Sequence, residues 1–353
     1  MHKCLLVFVI LLFAMLLPSC SANDGLPTDQ PEQYTASASD AQANQKFASH
    51  TVDNIKNMID YIEANNIAVN SFILIKDGQT VEEAYFNGTT KHTSSPVYSC
   101  TKSVISALVG IAIDEGKIAG VDEKITDLPG MNQYSLNDES KSHITLKHLL
   151  TMSSGLEPIL SNDFEYKDNA VQYILDQPIL HEAGKQFVYT SAGPHLISAI
   201  LQQATGVGTA DYAQQKLFGP LGISEPRWLR DADGLVLGGY GLSLTPEQLA
   251  VFGCLYLNEG EYSGKQIVSK EWVRESTSFM IKTATKLASE QFGYGYLWWQ
   301  NGFGGYSARG YAGQYVFVLP EYDAVVVFTS KLSESDVMIP YQLMEKYVLP
   351  SLI

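Results

Sequence analysis

The sequence predicts an α+β fold: an antiparallel sheet assembled from strands at both ends of the chain, flanked by helices, with a helical domain inserted between them. Three observations carry this. Near the start, Ser71–Lys76 and Val81–Phe86 read as strands that meet at Asp77-Gly78, a hairpin signal. Near the end, Tyr294–Gln300, Tyr306–Arg309, Gln314–Leu319 and Ala324–Thr329 read as successive strands, in a region that changes character from Phe292. Between the two groups, apolar residues recur at three- and four-residue steps.

The first residues stand apart from this fold. His2 and Lys3 lead into the apolar run Cys4–Leu17, which ends in Leu17-Pro18-Ser19-Cys20. Charge, length and small-residue exit are those of a secretory signal, and the run is too short for a membrane span. The cysteine at the exit resembles that of a bacterial lipoprotein signal, which implies lipidation of Cys20; ordinary cleavage is the alternative. Ser21 to about Ser49 is rich in small and polar residues, the composition of a flexible tether. The expected organisation is a signal peptide at 1–19, a tether at 20–50 and a folded domain at 51–353. Within that domain the α/β part covers about 51–115 and 290–353, and the helical part about 116–289. The protein is expected in the periplasm, touching a bacterial membrane only through a lipid on Cys20.

Composition sets further bounds. The 353 residues are 45% hydrophobic and 17% charged, which suits a globular protein with a large core. Acidic residues outnumber basic ones 38 to 23, giving a formal charge of −15, so a nucleic-acid partner is not expected. Once Cys4 and Cys20 are set aside, only Cys100 and Cys254 remain, both in apparent helices, which argues against a disulfide framework.

Along the chain, Val52–Asn65 has helical spacing through Ile55, Met58, Ile59 and Ile62. A second helix runs from the Pro96 region through Ile105, Leu108, Val109, Ala112 and Ile113 to Glu115-Gly116. Ile144–Gly155 reads as a short helix closed by glycine, and Val171–Leu175, Pro194–Ala204 and Ala210–Phe218 as further helices. Thr245 caps a helix to Leu257, with Pro246 in its first turn. Val337–Tyr347 closes the chain as a helix.

One pair in this inventory carries chemistry. Ser99 and Lys102 stand three apart at the start of the second helix, so their side chains share a face. A serine attacks only when a partner takes its proton, and a lysine does so only when burial or a nearby positive field holds it neutral. Burial can lower a lysine pKa by roughly 3 to 5 units. No other serine has a lysine three residues on, yet a chain of this length shows on the order of one such match by chance. Alone, the pair is weak. Cys100 lies about 100° around the helix from Ser99, so packing is the expected role for its thiol.

Five ordered motifs change that weighting: Ser99-Cys-Thr-Lys102, Leu146–Gly155, Tyr189-Thr-Ser191, Gly239–Thr245 and Gly310–Pro320. Together they resemble the serine hydrolase family of class C β-lactamases, whose relatives include D-alanyl-D-alanine carboxypeptidases, family VIII esterases and 6-aminohexanoate-dimer hydrolases. The resemblance spans about Val52 to the C-terminus and implies the β-lactamase/transpeptidase-like fold. It also implies that Ser99 is acylated, that Lys102 is its partner, and that Tyr189 moves protons to and from the leaving group. The N–H groups of Ser99 and Tyr311 would form the oxyanion hole, and Gly310 would let the facing strand approach the acyl group.

Two departures from the family pattern bear on substrate. Ser191 replaces the asparagine that usually ends the second motif, as in some esterase and nylon-oligomer hydrolase relatives; Tyr256-Leu-Asn258 spells the commoner pattern but ends a helix. The third motif maps onto Ala308-Arg309-Gly310, where the family's carboxylate-holding cation is missing. Arg309 is its one candidate stand-in, although strand alternation turns it away. Lys282-Thr283-Ala284 lacks both the glycine and the strand. Tyr166 and Trp298, with Trp299, are candidate lining residues. His143 and His148 lack a third ligand, so no metal is expected. The resemblance therefore implies a cofactor-free serine hydrolase of the SxxK class acting on a small-molecule ester, amide or peptide-like substrate. The alternatives are a β-lactamase or D-Ala-D-Ala carboxypeptidase, and a non-catalytic penicillin-binding-like sensor.

Overall fold

Ile55, Met58 and Ile62 recur at helical spacing and are buried on one face of the first helix, α1 (53–64). The computed structural model describes residues 53–159, 163–224, 226–283 and 293–353. All fall in the unit Gln45–Ile353. The expected leader, the tether and Cys20 lie outside the described residues, as do residues 160–162, Ala284 and Phe292.

After α1 come β1 (Val69–Lys76) and β2 (Gln79–Tyr85), antiparallel and joined at Asp77-Gly78, both with positive φ. The short β3 (Ser95–Pro96) precedes α2 (Thr101–Asp114). The middle of the chain supplies α3 (Leu146–Leu150), α4 (Ala170–Leu175), α5 (Ala192–Thr205) and α6 (Thr209–Ala213). It continues with β4 (Arg227–Trp228), β5 (Leu242–Leu244), α7 (Pro246–Leu257), the hairpin β6 (Glu261–Tyr262) and β7 (Lys265–Gln266), α8 (Lys270–Ser276) and β8 (Ile281–Lys282). The C-terminal part holds β9 (Gly293–Tyr294), β10 (Trp299–Gln300), β11 (Tyr306–Gly310), β12 (Gln314–Leu319) and β13 (Ala324–Ser330). Then come α9 (Ile339–Leu343) and α10 (Leu349–Leu352).

The main sheet has eight strands in the order β2-β1-β13-β12-β11-β10-β9-β8, so strands from the two ends of the chain meet at its centre. Side chains alternate across it. On one face, Phe72, Leu74, Phe317, Val326 and Phe328 pack against α1 and the C-terminal helices. On the other, Ile73, Val316, Val318, Val325 and Val327 join the larger core that contains α2, α5 and α7. Both faces are covered, which is why β12 and β13 are buried along their whole length. β3, β5 and β4 form a separate three-stranded sheet.

Three expectations need correction. The segment Tyr294–Gln300 is two strands, because the chain reverses between them: Tyr294 pairs with Trp299, Leu297 takes a φ of 63°, and its N–H is held by the Leu150 carbonyl. The helix in Ile144–Gly155 ends at Leu150 rather than at the glycine, with Met152 already at a φ of 58°. Lys282 does lie in a strand, β8, at the far edge of the main sheet. Such two-residue strands arise from tertiary pairing and leave little pattern in the sequence.

Candidate active site

Ser99 sits in a 3-10 turn, Tyr98–Cys100, that leads directly into α2. β3 and β5 anchor the chain before it, Val97 is buried, and Tyr98 is forced to a φ of 46°. For a tyrosine that conformation costs about 1–3 kcal/mol. It is held by Thr101, whose hydroxyl donates to the Tyr98 carbonyl at 2.6 Å, and by the Cys100 N–H on the Val97 carbonyl. The strain lies at the residue before the serine and leaves Ser99 half-buried at the head of the helix.

Lys102 is 1% exposed. Its Nζ donates to Ser99 Oγ at 3.1 Å, to the Gly239 carbonyl at 2.7 Å and, at 3.4 Å, to Ser191 Oγ. Burial brings its pKa down to about 7, with Cys100 opposing the shift. A second lysine, Lys141, is equally buried, but it donates to the Leu175 carbonyl and to Asn137 and, among the described residues, to no hydroxyl. Burial alone therefore does not mark a site; burial against Ser99 does.

Tyr189 precedes α5 and completes the cluster. Its ring lies 4.8 Å under Lys102 Nζ and 5.6 Å from the Trp299 ring. Burial pushes its phenol up, while a hydrogen bond with Ser99 pulls the other way. The phenol is therefore protonated at neutral pH, and Lys102 is the group able to be basic there. Ser191, buried at the head of α5, faces the lysine through its hydroxyl.

The strand β11 closes the site from the other side. A Cβ on Gly310 would meet the Val97 carbonyl oxygen at 2.3 Å, so only glycine permits this approach of the strand to the Ser99 turn. Tyr311 follows, and its exposed ring packs edge-on to Tyr98 at 5.5 Å. Ala308 is buried on the same strand and shares the α2-side core.

Arg309 is not a stand-in for the missing cation. Strand alternation turns it to the other face, where it donates to Ser307 Oγ, the Gln300 carbonyl and Asn301 Oδ1 and lies over the Trp299 and Tyr341 rings. Trp298 is likewise no lining residue: it is fully buried, stacked on Phe252 and packed on Tyr256 and Tyr306. The chain reversal at Leu297 is responsible, and it is Trp299 that reaches Tyr189. Tyr166 is exposed; its neighbour Glu165 accepts from Tyr240 Oη at 2.8 Å, next to Gly239.

Cys100 is buried, its thiol pushed up by burial and aimed at the Gln314 carbonyl. His148 caps α3, its Nδ1 accepting the Thr145 N–H at 3.1 Å. The Gly239 carbonyl had no assigned role in the sequence reading. Gly238-Gly239 was the available signal: a Cβ on Gly239 would meet Ser191 at 2.7 Å, so this pair marks a backbone pressed into the site.

The β-lactamase family model matches residues 55–344, and the chain belongs to that family of serine hydrolases. It is 23% identical over 287 residues to the 6-aminohexanoate-dimer hydrolase of Paenarthrobacter ureafaciens, covering 75% of this chain and 73% of that one. The octameric penicillin-binding protein homologue of Pyrococcus abyssi superposes with a TM-score of 0.68 at 20% identity, over 84% of this chain and 78% of that one. A penicillin-binding protein homologue from Caulobacter crescentus gives 0.70 at 13% identity, over 85% and 97%. Both likenesses define the β-lactamase/transpeptidase-like fold.

Proposed function

We propose that the protein is an SxxK-class serine hydrolase that cleaves an uncharged ester or amide through an acyl-enzyme on Ser99. The observation that carries this is the 3.1 Å contact between Ser99 Oγ and the buried Lys102, whose pKa of about 7 lets it act as a base near neutral pH. Neutral Lys102 takes the Ser99 proton as Oγ attacks the carbonyl carbon. The oxyanion forms against the N–H groups of Ser99 and Tyr311. Tyr189, kept protonated, passes its proton to the leaving alcohol or amine and is reprotonated from Lys102. Water then attacks the acyl carbon by the reverse relay, freeing the acid and Ser99.

The uncharged substrate follows from Ala308 and Arg309. A β-lactam or a D-Ala-D-Ala peptide presents a carboxylate, and Ala308 offers it no cation while Arg309 is engaged on the other face. The amide-hydrolysing relative lends weight to an amidase or esterase.

A fluorophosphonate probe should label the wild type and fail to label Ser99→Ala; labelling that survives the substitution removes Ser99 from the mechanism. Rapid turnover of nitrocefin would replace this reading with that of a β-lactamase. Export and lipid attachment at Cys20 are part of the proposal, resting on the leader sequence alone. Fatty-acid labelling in a bacterial host that is lost in Cys20→Ala tests them.

A further inference from the structure

One turn beyond Ser191, α5 carries His195, fully buried, with Nε2 2.9 Å from Asp231 Oδ2. Its Nδ1 is buried and has no partner among the described residues. A proton on Nε2 and none on Nδ1 leaves no buried N–H unsatisfied, so the ring donates to Asp231. Phe164 covers the imidazole with its ring 4.7 Å away.

Asp231 begins the stretch that delivers Gly239. Its Oδ1 accepts the N–H groups of Asp233 at 3.0 Å and Leu235 at 2.8 Å. Farther on, the Val236 carbonyl accepts from Ser198 Oγ at 2.9 Å, Gly238 presses on the Pro194 carbonyl, and Gly239 presses on Ser191. Residues 231–239 thus run along α5, bonded to it at positions 195 and 198 and in close contact with it at 194 and 191. The last carbonyl of the run receives Lys102 Nζ.

We propose that His195 is a positioning residue: through Asp231 it fixes the 231–239 stretch along α5 and so sets the Gly239 carbonyl that orients Lys102 toward Ser99. The inference rests on the reading of Ser99 and Lys102 as nucleophile and base. Without the imidazole, the buried Asp231 carboxylate loses one of three donors and the stretch loses its anchor at residue 195, keeping those at Val236 and Leu237, which accept from Ser198 Oγ and Trp228 Nε1. Lys102 faces Ser99 and Cys100 from its own turn, Tyr189 and Ser191 from the head of α5, and the Gly239 carbonyl. No carboxylate contacts it among the described residues, so the backbone carbonyl is its strongest acceptor.

The test compares wild type, His195→Gln, His195→Leu and Asp231→Asn in p-nitrophenyl butyrate hydrolysis and in the rate of fluorophosphonate labelling, each across pH, with thermal melting to establish folding. Glutamine returns an N–H donor near the Nε2 position; leucine fills space without one. For His195→Leu, kcat should fall about 30- to 100-fold with KM within about threefold of wild type. Its acid limb should move to lower pH, because the ammonium form of Lys102 loses its acceptor. His195→Gln should recover kcat to within about threefold and restore the limb. Asp231→Asn should show a smaller loss in the same direction, and it decides the matter if His195→Leu does not fold. Wild-type kcat and acid limb in either folded variant overturn the proposal, as does a glutamine variant no better than leucine, which would point to packing alone. A wild type that neither hydrolyses the ester nor takes the probe fails the parent reading, and the positioning role falls with it.

Discussion

Gly310 lies against the carbonyl oxygen of Val97, two residues before Ser99, with no room for a side chain between them. β11 is held by pairing with both β10 and β12, so an added methyl would displace the Ser99 turn rather than the strand. Gly310→Ala should therefore slow fluorophosphonate labelling by about 100- to 1000-fold, the loss typical of a missing oxyanion donor. It should also lower the melting temperature, as overpacking costs about 1–3 kcal/mol. A variant that labels and melts like wild type would mean the strand does not constrain the turn.

Tyr189→Phe separates the hydroxyl from the ring. The ring keeps its place beside Trp299 and under Lys102, so the melting temperature should barely change. Loss of the proton relay should lower kcat by about 100- to 10,000-fold. Steady-state kinetics on an ester checks this, and an unchanged kcat would leave Tyr189 a packing residue.

Lys102 links activity and stability to pH. In the folded protein its pKa is about 7, against an ordinary 10.5 that holds in the unfolded chain. Above about pH 7 the lysine is neutral, so kcat/KM should rise through an acid limb centred there. Between 7 and 10.5 the unfolded chain binds more protons than the folded one, so this group's contribution to stability rises with pH. Below 7 the folded protein carries the full penalty of a buried ammonium. The melting-temperature difference between wild type and Lys102→Met should accordingly grow in favour of wild type from pH 7 to 9.5. A flat difference would mean Lys102 is charged in the folded state.

Arg309→Met tests the assignment of that side chain to the far face of the sheet. Removing its bonds to Ser307, Gln300 and Asn301 should lower the melting temperature by several degrees, the effect of about 1–2 kcal/mol. KM for substrates with and without a carboxylate should stay the same. A KM that rises only for carboxylate-bearing substrates would return Arg309 to the site.

How much of this was legible in the sequence follows from the range of each interaction. Ser99 and Lys102 meet because one helical turn brings them together, and Arg309 turns away because neighbouring strand residues alternate; both are local rules. The Thr245 cap of α7 was legible for the same reason, its side chain accepting the Gln248 N–H. The Gly239 carbonyl reaches Lys102 across 137 positions, and no spacing rule covers that distance. Trp298 and Trp299 exchange roles because a reversal at Leu297 is pinned by the Leu150 carbonyl, a contact from another part of the chain. That position 308 is an alanine needs no structure, since it is a matter of the residue's identity.

The sheet built from both ends of the chain also sets a timetable. Ser71 and Thr329 share a hydrogen bond across 258 positions, so β1 cannot pair with β13 until that long intervening loop has closed. Until then the β1–β2 hairpin has an unpaired edge, and the sheet face that shelters α2 does not exist. Contacts of such long range are slow to form and leave apolar surface open meanwhile. The folding chain therefore completes the Ser99 turn late: Gly310 must be in place before Ser99 has a wall to face.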